Sequence, residues 1–413
     1  MTKPHARALP LSLLLAAGCG GSEMPIDAAT PADAASAPDT FVVADDAATP
    51  TDAGTDAFSP DAPRRPPLER FMTLPQRIAC PPALGFREDG TPVVAVVNMN
   101  ALRVYEQRGA SWTQIGPDVT AEGISIVADG CPGLVVSGDD TIYVAFEQVA
   151  AGSTYTAHVQ HLAGAAWVDD FTVPSPSGHA VVDIDVDRDS SGEPVIAMLE
   201  RNATAFGYGV AIRRRVGGTF VRAPMLDTLT VGEVRIAVRP DDTVVAAITH
   251  TVGPFGTGVG ILELSPTDVW TTRDDVDLVG DTTQGLTLTG LDADATRSWI
   301  TWVRGTSGGE RFTHLSELIG NTYRSLDPEE FHAQYPDVAH RDGDVLAWAF
   351  ADDFKLTVQD YDGTGFGAPL VDMDSPVNIV SLQYHGDDLW AACTTTFGGG
   401  PADALIVRVT FPE

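Results

Sequence analysis

Four aspartates spaced two residues apart are the first candidates for chemistry in this sequence. Asp183, Asp185, Asp187 and Asp189 are followed by Gly192. Carboxylates at alternate positions before a glycine are typical of Ca²⁺-binding loops, so Asp185, Asp187 and Asp189 are candidate ligands. The same alternation is typical of a β-strand that leads into a turn. The strand is favoured, because no glutamate closes a twelve-residue loop that starts at Asp185.

Other signatures of a catalytic or cofactor site are weak. The sequence contains no phosphate-binding glycine loop and no zinc motif. Its 57 acidic residues are too numerous for one carboxylate pair to stand out. We therefore predict no catalytic residues and no cofactor apart from the weaker Ca²⁺ alternative.

The formal net charge of −32 limits the range of partners. An acidic surface repels nucleic acid and anionic lipid head groups. We predict a monomer that binds no nucleic acid. We also predict that it contacts a membrane only through a lipid at its N-terminus, for which the sequence around Cys19 gives the reason below.

A repeat of roughly 50 residues organises the chain after Cys80. Each repeat consists of an apolar run, an Asp/Gly-rich turn, two further apolar runs and an aromatic residue. The seven turns are Glu88–Thr91, Ser137–Asp140, Asp189–Glu193, Arg239–Asp242, Asp292–Ala295, Arg341–Asp344 and His385–Asp388. Repeats of this length, each built from several strands, are typical of β-propellers.

Each repeat predicts one blade of four antiparallel strands. In the third repeat, Val182–Val186 alternates between apolar and acidic residues, and Pro194–Leu199 is apolar throughout, as in a buried strand. An aromatic residue recurs in the fourth predicted strand, where it would pack between neighbouring blades. These aromatics are Trp112, Trp167, Phe220, Trp270, Tyr323 and Phe366.

The chain therefore resembles a seven-bladed, all-β propeller over residues 68–413. Six blades, eight blades and a two-sheet sandwich are the alternatives. The sequence signatures of the familiar propeller families are missing, so the resemblance transfers no active site.

The seventh repeat ends without an aromatic fourth strand. An apolar segment that contains Phe71 precedes the first repeat. We predict that Leu68–Leu74 pairs with Ala404–Phe411 and closes the ring, which would remove two exposed sheet edges.

Residues 1–18 resemble a bacterial lipoprotein signal peptide. Lys3 and Arg7 precede the apolar segment Ala8–Ala17, which is too short to span a bilayer. Small residues then precede Cys19. The resemblance implies cleavage before Cys19, lipidation of its thiol, and a location in the bacterial cell envelope outside the cytoplasm, at the outer membrane or cell surface. Ala16 stands where leucine is usual, and an ordinary secretory signal is the alternative.

Residues 19–67 are rich in Ala, Asp, Pro and Thr and contain few larger apolar side chains. Such a composition buries too little apolar surface to offset the entropy of ordering. We predict a disordered tether between the lipid and the propeller.

Three further cysteines follow the tether. Cys80 and Cys131 occupy matching places at the start of the first two repeats, and an exported protein permits disulfides. We favour a Cys80–Cys131 disulfide. Cys393, in the last repeat, is the competing partner for Cys80, and a buried thiol is its alternative role.

Glycines and aromatics share the predicted loops between second and third strands. Phe206, Tyr208, Phe255 and Phe397 are the candidate binding residues. Equivalent loops of a propeller emerge on one face, and exposed aromatics are common in binding surfaces. Rings that cap the blade ends are an equally weighted alternative. We therefore predict a non-enzymatic module that binds a protein or a glycan, with a carbohydrate-active hydrolase or lyase as the alternative.

Overall fold

The structure of the protein is a computed structural model. It describes residues 68–75, 82–98, 101–109, 111–119, 131–150, 154–174, 180–201, 208–227, 230–252, 256–273, 286–305, 311–326, 333–343, 345–352, 355–395 and 403–409. Residues 1–67, which include Cys19 and the predicted tether, lie outside this part of the chain. None of the described residues forms a helix long and apolar enough to cross a membrane.

Antiparallel β-strands form the framework of the described chain. The first is β1 (Leu68–Pro75). Blade 1 contains β2 (Ala83–Phe86), β3 (Pro92–Asn98), β4 (Ala101–Arg108) and β5 (Ser111–Gln114). Blade 2 contains β6 (Gly133–Val136), β7 (Ile142–Ala150), β8 (Thr154–Ala163) and β9 (Ala166–Pro174). Blade 3 contains β10 (Val181–Arg188), β11 (Pro194–Arg201), β12 (Tyr208–Val216), β13 (Thr219–Arg222) and the short β14 (Leu226–Asp227).

The remaining strands repeat this arrangement. Blade 4 contains β15 (Thr230–Val238), β16 (Val244–Val252), β17 (Gly256–Leu264) and β18 (Trp270–Thr272). Blade 5 contains β19 (Leu286–Ala293), β20 (Arg297–Gly305), β21 (Arg311–Ile319) and β22 (Thr322–Ser325). The last strands are β23 (Ala333–His340), β24 (Leu346–Asp352), β25 (Lys355–Tyr361), β26 (Leu370–His385), β27 (Asp388–Thr395) and β28 (Asp403–Val409).

Blades 6 and 7 share the long strand β26. Its first residues pair with β25 and complete blade 6, and its later residues pair with β27 and begin blade 7. Phe366 makes only an isolated bridge to Tyr361, so the fourth strand of blade 6 begins after the predicted aromatic. The fold is a seven-bladed β-propeller.

The predicted ring closure is confirmed. β1 is antiparallel to β28, with Leu68 opposite Val409 and Pro75 opposite Asp403. The N-terminal strand therefore supplies the fourth strand of blade 7, and the edge of β28 is paired rather than exposed.

Apolar side chains fill the seams between blades. Within the described residues there is one core cluster at each of the seven boundaries between neighbouring blades. At the seam that closes the ring, Leu84 and Phe86 of blade 1 pack with Trp390 and Ala392 of blade 7. Each fully buried aliphatic side chain contributes about 1.5–3 kcal/mol, so the seams hold the ring together.

The recurring aromatics lie where they were predicted to pack. Each of the six rings joins the cluster that its own blade forms with the preceding blade. Two indoles also bond the preceding blade: Trp167 Nε1 donates to the carbonyl of Pro117 at 3.0 Å, and Trp270 Nε1 donates to that of Pro224 at 2.7 Å. Each of these indoles therefore fills space in the seam and also ties its blade to the preceding blade by a hydrogen bond.

Aspartates shape the turns between first and second strands. In blades 1 to 5 the turn aspartate accepts a bond from the backbone N–H two residues later, at 2.7–3.1 Å. This local bond is the Asx turn that favours aspartate here. The end of the propeller that carries these turns is called the turn face below, and the opposite end is called the loop face.

Candidate functional site

The central channel is a candidate site in the described structure. First strands of all seven blades surround it, and its volume is about 540 Å³. The wall is asymmetric. In blades 1 and 2 it consists of the apolar segments Ala83–Phe86 and Gly133–Val136, whereas the strands of blades 3 to 6 carry acidic residues.

First strands are edge strands, because no strand among the described residues pairs with them on the channel side. Their channel-side N–H groups therefore need other acceptors. Three aspartates of β10 accept bonds from alternate N–H groups of β15 in the next blade. The pairs are Asp183 Oδ2 with Val234 (2.8 Å), Asp185 Oδ2 with Ile236 (2.6 Å) and Asp187 Oδ2 with Val238 (2.6 Å).

The same contact continues around the ring. Carboxylates of blades 4, 5 and 6 each accept a bond from the first strand of the following blade. The pairs are Glu233 with Leu288 (2.5 Å), Asp292 with His340 (2.6 Å) and Asp337 with Leu382 (2.7 Å). We call Asp183, Asp185, Asp187, Glu233, Asp292 and Asp337 the inter-blade carboxylates.

β-Bulges help to aim these side chains. The register of β10 against β11 shifts between Val181 and Ile184, next to Asp183. That of β15 shifts between Thr230 and Val234, next to Glu233, and the first strands of blades 5, 6 and 7 shift in the same way. A bulge adds a residue and turns its side chain, and in blades 3, 4 and 6 the acidic residue at or next to the bulge (Asp183, Glu233 or Asp337) bonds the next blade.

Arg235 is a cation of the acidic wall, and Arg188 also lines the channel. Its Nη1 contacts Asp183 Oδ2 at 2.7 Å and the carbonyl of Val234 at 2.6 Å, and its Nε donates to the carbonyl of Thr289 at 3.3 Å. Burial disfavours the guanidinium charge, but Asp183 and Asp185 outweigh that effect and raise the pKa of Arg235. Its Nη1 and Nε are therefore engaged by groups of the wall itself.

Burial raises the pKa values of the aspartates in the wall. It raises the pKa to about 6 for Asp183, Asp185 and Asp187, and to about 7 for Asp292 and Asp337. Like charges across the channel act in the same direction, Asp187 on Asp292 and Asp185 on Asp337. Backbone hydrogen bonds oppose both effects.

The candidate Ca²⁺ ligands belong to two different structures. Asp185 and Asp187 lie on β10 and bond the next blade. Asp189 lies in the turn, where its Oδ1 accepts bonds from the N–H groups of Ser191 and Glu193, both at 2.9 Å. In the part of the chain that the structure describes, no group of three or more His, Cys, Asp or Glu side chains is placed to hold a metal ion.

The structure describes two of the four cysteines, Cys131 and Cys393. Cys131 lines the channel and is disulfide-bonded. Cys80, its predicted partner, lies outside the described residues, so the pairing stays a prediction. Cys393 is a buried thiol on β27.

Of the candidate binding residues, only Tyr208 lies within the described structure. It begins β12 on the loop face, is half-buried, and packs against the core cluster of blades 3 and 4. Phe206, Phe255 and Phe397 lie outside the described residues.

Sequence reasoning missed the inter-blade role of Glu233, Asp292 and Asp337. Asp292, assigned to a turn by the repeat, lies inside β19. The available signal was an acidic residue in the first strand of four consecutive repeats.

Comparisons with known proteins agree on the fold. No protein-family model matches the sequence, and no curated protein matches it significantly. The polysaccharide lyase Uly1 is 9% identical over an alignment that covers 80% of this chain and 90% of that chain, with a TM-score of 0.55. Hydrazine synthase from Kuenenia stuttgartiensis is 13% identical, with 79% and 98% covered and a TM-score of 0.50. At such identities the similarity shows the fold alone.

Proposed function

We propose that the protein is a lipid-anchored, extracytoplasmic propeller that binds a protein or a glycan without transforming it. In this proposal Cys19 carries the lipid, residues 19–67 hold the propeller clear of the membrane, and the loop face meets the partner.

One observation carries the non-enzymatic part of the proposal. Each inter-blade carboxylate accepts a backbone N–H bond from the next blade, and Asp183 also binds Arg235. A general acid or base must face its substrate at hydrogen-bond distance. Carboxylates that are already held by their own fold are poorly placed for that work, although they line the channel.

The topology supports the loop face as the binding surface. Second strands of all blades run from the turn face to the loop face, so each second strand ends and each third strand begins at the loop face. Phe206 and Phe255 belong to neighbouring blades, and Phe397 belongs to blade 7. Aromatic residues on adaptable loops are common in recognition surfaces.

The second candidate is a carbohydrate-active hydrolase or lyase with its site in the channel mouth. Arg235, His340 and Tyr384 line the channel together with the acids, and Uly1, which shares the fold, is a polysaccharide lyase. Two observations weigh against it. Arg235 already contacts Asp183 and two carbonyls. Burial raises the pKa of Tyr384, so its hydroxyl loses its proton less readily at neutral pH and is less able to act as a general base.

A serine-containing motif adds no support for a hydrolase. Residues 305–309 read G-x-S-x-G, a pattern that forms a nucleophile elbow when it joins a strand to a helix. Here it lies between β20 and β21, which are antiparallel partners in one blade. The context is therefore that of a connection between strands.

The test compares partner recovery by full-length protein and by the variant Phe206→Ala/Phe255→Ala. Burying a ring contributes about 1.5–3 kcal/mol, so the variant should recover at least about tenfold less partner. The matched control is Val216→Ala/Val269→Ala, which removes two exposed apolar side chains, 60% and 59% exposed, near the turn face. Equal recovery by all three proteins, each folded by circular dichroism, would refute the loop face as the binding surface.

A parallel assay addresses the enzyme. The same protein is incubated with a panel of neutral and uronate-containing polysaccharides, and new chain ends are followed by reducing-sugar release and ultraviolet absorbance. We expect no product. Turnover that is lost in Asp185→Asn or Asp187→Asn would favour the second candidate.

A further inference from the structure

The first strands of blades 1 and 2 differ from the others in what their channel-side N–H groups meet. In each of blades 3 to 7 at least one such N–H group donates to a carboxylate. One donor from each of these blades is Arg188, Val238, Leu288, His340 and Leu382. Among the described contacts, no side chain accepts an N–H bond from β2 or β6.

The backbone bonds show which groups of β6 face the channel. The N–H group of Ser137 donates to the carbonyl of Thr141 at 2.9 Å, towards the second strand. N–H groups alternate between the two sides of a strand, so those of Val136 and Leu134 face the channel. The carbonyl of Val136 lies on the same side, where Arg188 Nη1 donates to it at 3.4 Å.

Gly85 explains why the N–H group of Val136 meets no carboxylate. Gly85 stands two residues before the turn of blade 1, as Asp187 does in blade 3, and Asp187 accepts the bond from Val238. Val136 holds the corresponding place to Val238 in blade 2. A Cβ atom at Gly85 would lie 3.7 Å from Val136 N. Glycine therefore leaves open the place from which a carboxylate bonds the next blade elsewhere in the ring.

The edge of β2 is open in the same way. The N–H group of Arg87 donates to the carbonyl of Thr91 at 3.0 Å, so the N–H groups of Phe86 and Leu84 face the channel. Both residues are buried. Buried N–H groups normally have an acceptor, so β2 and β6 offer backbone donors to a ligand or to water.

The opposite wall of the channel determines the charge that a ligand should carry. All six inter-blade carboxylates line the channel, together with the guanidinium groups of Arg188 and Arg235. A cleft lined mainly by one sign of charge attracts the opposite sign. The channel volume of about 540 Å³ falls within the range of roughly 300–1,000 Å³ that is usual for ligand sites.

We propose that the channel binds a short extended peptide that carries lysine or arginine side chains. The peptide backbone adds to the edge of β6, and its carbonyl groups accept bonds from the N–H groups of Leu134 and Val136. Its cationic side chains face the carboxylates of blades 3 to 6. Addition of a strand to a sheet edge is a common way of binding peptides. This site is separate from the loop face and goes beyond the function proposed above.

The experiment measures binding to full-length protein by titration calorimetry at pH 8, above the pKa values of about 6 and about 7 of the wall aspartates. The probe is a short peptide with blocked ends in which alanine and lysine alternate. The controls are the same peptide with glutamine for lysine, and diaminopentane, which has two ammonium groups but no peptide backbone. The lysine peptide should bind at least about tenfold more tightly than either control, because it alone combines charge with backbone acceptors. Absence of binding at millimolar peptide, or equal affinity of either control, would overturn the proposal.

A pair of variants separates the backbone contact from simple charge attraction. Gly85→Asp supplies a carboxylate that can accept the N–H bond of Val136, and Gly85→Ala adds the same Cβ without an acceptor. That Cβ would lie 3.1 Å from Val136 Cγ2, so both variants require the same small adjustment. Gly85→Asp should bind the lysine peptide at least about fivefold more weakly than Gly85→Ala, although it adds a negative charge. Equal or tighter binding by Gly85→Asp would show that charge alone attracts the peptide.

Hydrogen exchange of wild-type protein keeps the test decisive when the variants do not fold. Saturating lysine peptide should slow exchange of the Leu134 and Val136 amides at least about tenfold, because both gain an acceptor. The amide of Val238, which already donates to Asp187, should change little. Unchanged exchange at Leu134 and Val136 would rule out addition of the peptide to β6.

Discussion

Replacement of Gly290 by alanine tests the packing of the acidic wall. The new Cβ would lie 1.9 Å from Asp337 Oδ1, 3.1 Å from its Cγ and 2.8 Å from Thr301 Oγ1. Distances this short require a shift, and the carboxylate must leave the N–H groups of Val338 and Leu382. Asp337 should therefore move rather than the surrounding backbone.

The expected loss combines three effects. Overpacking costs about 1–3 kcal/mol. A buried N–H group left without its acceptor costs about 1–3 kcal/mol. The lower entropy of the unfolded chain returns about 0.4–1 kcal/mol for a Gly→Ala change. Gly290→Ala should therefore lower the free energy of unfolding by about 1–5 kcal/mol.

The assay is urea unfolding at pH 7, with Gly365→Ala as the matched control. A Cβ at Gly365 meets no atom within 4 Å, so that change should be nearly neutral. In the background Asp337→Ala, which removes the clashing carboxylate, the cost of Gly290→Ala should fall by at least half. An unchanged cost in that background, or a loss below about 0.5 kcal/mol in the wild-type background, would refute the reasoning.

Three further predictions concern other parts of the chain. Cys19→Ser should move the protein from the membrane fraction to the soluble fraction, and continued firm membrane association would contradict lipidation. Trp270→Phe keeps an aromatic ring, although a smaller one, and removes the 2.7 Å bond to the carbonyl of Pro224, so it should lower the unfolding free energy by at least about 1 kcal/mol in a urea titration, and no change would show that the bond is immaterial. Peptide mapping without reduction should recover Cys80 linked to Cys131, and a different partner for Cys131 would contradict that pairing.

Much of the fold was predictable because its determinants are local and repeated. The Asp/Gly turns, the apolar runs and the aromatic of each fourth strand recur in phase, so that blade number followed from counting. The closure by Leu68–Leu74 followed from the incomplete seventh repeat, because an unpaired edge strand is unfavourable.

The role of the acidic residues was less accessible from sequence. The period of Asp183, Asp185 and Asp187 predicted a strand, but a period of two does not say what the second face of that strand meets. Here the second face of β10 meets N–H groups of β15 in the next blade that pair with no neighbouring strand. They lie about 50 residues away in sequence. Such a contact depends on the radial packing of blades and on bulges near Asp183, Glu233 and Asp337.

Amide hydrogen exchange tests the central claim that channel carboxylates hold neighbouring blades together. Val234, Ile236 and Val238 have N–H groups on the channel edge, where aspartate oxygens are their acceptors. Measured on full-length protein by NMR or by mass spectrometry with residue resolution, these three amides should exchange at least about 100-fold more slowly than amides of an unfolded chain. Exchange of all three at the unfolded rate would contradict the account, because the carboxylates would then be available for other work.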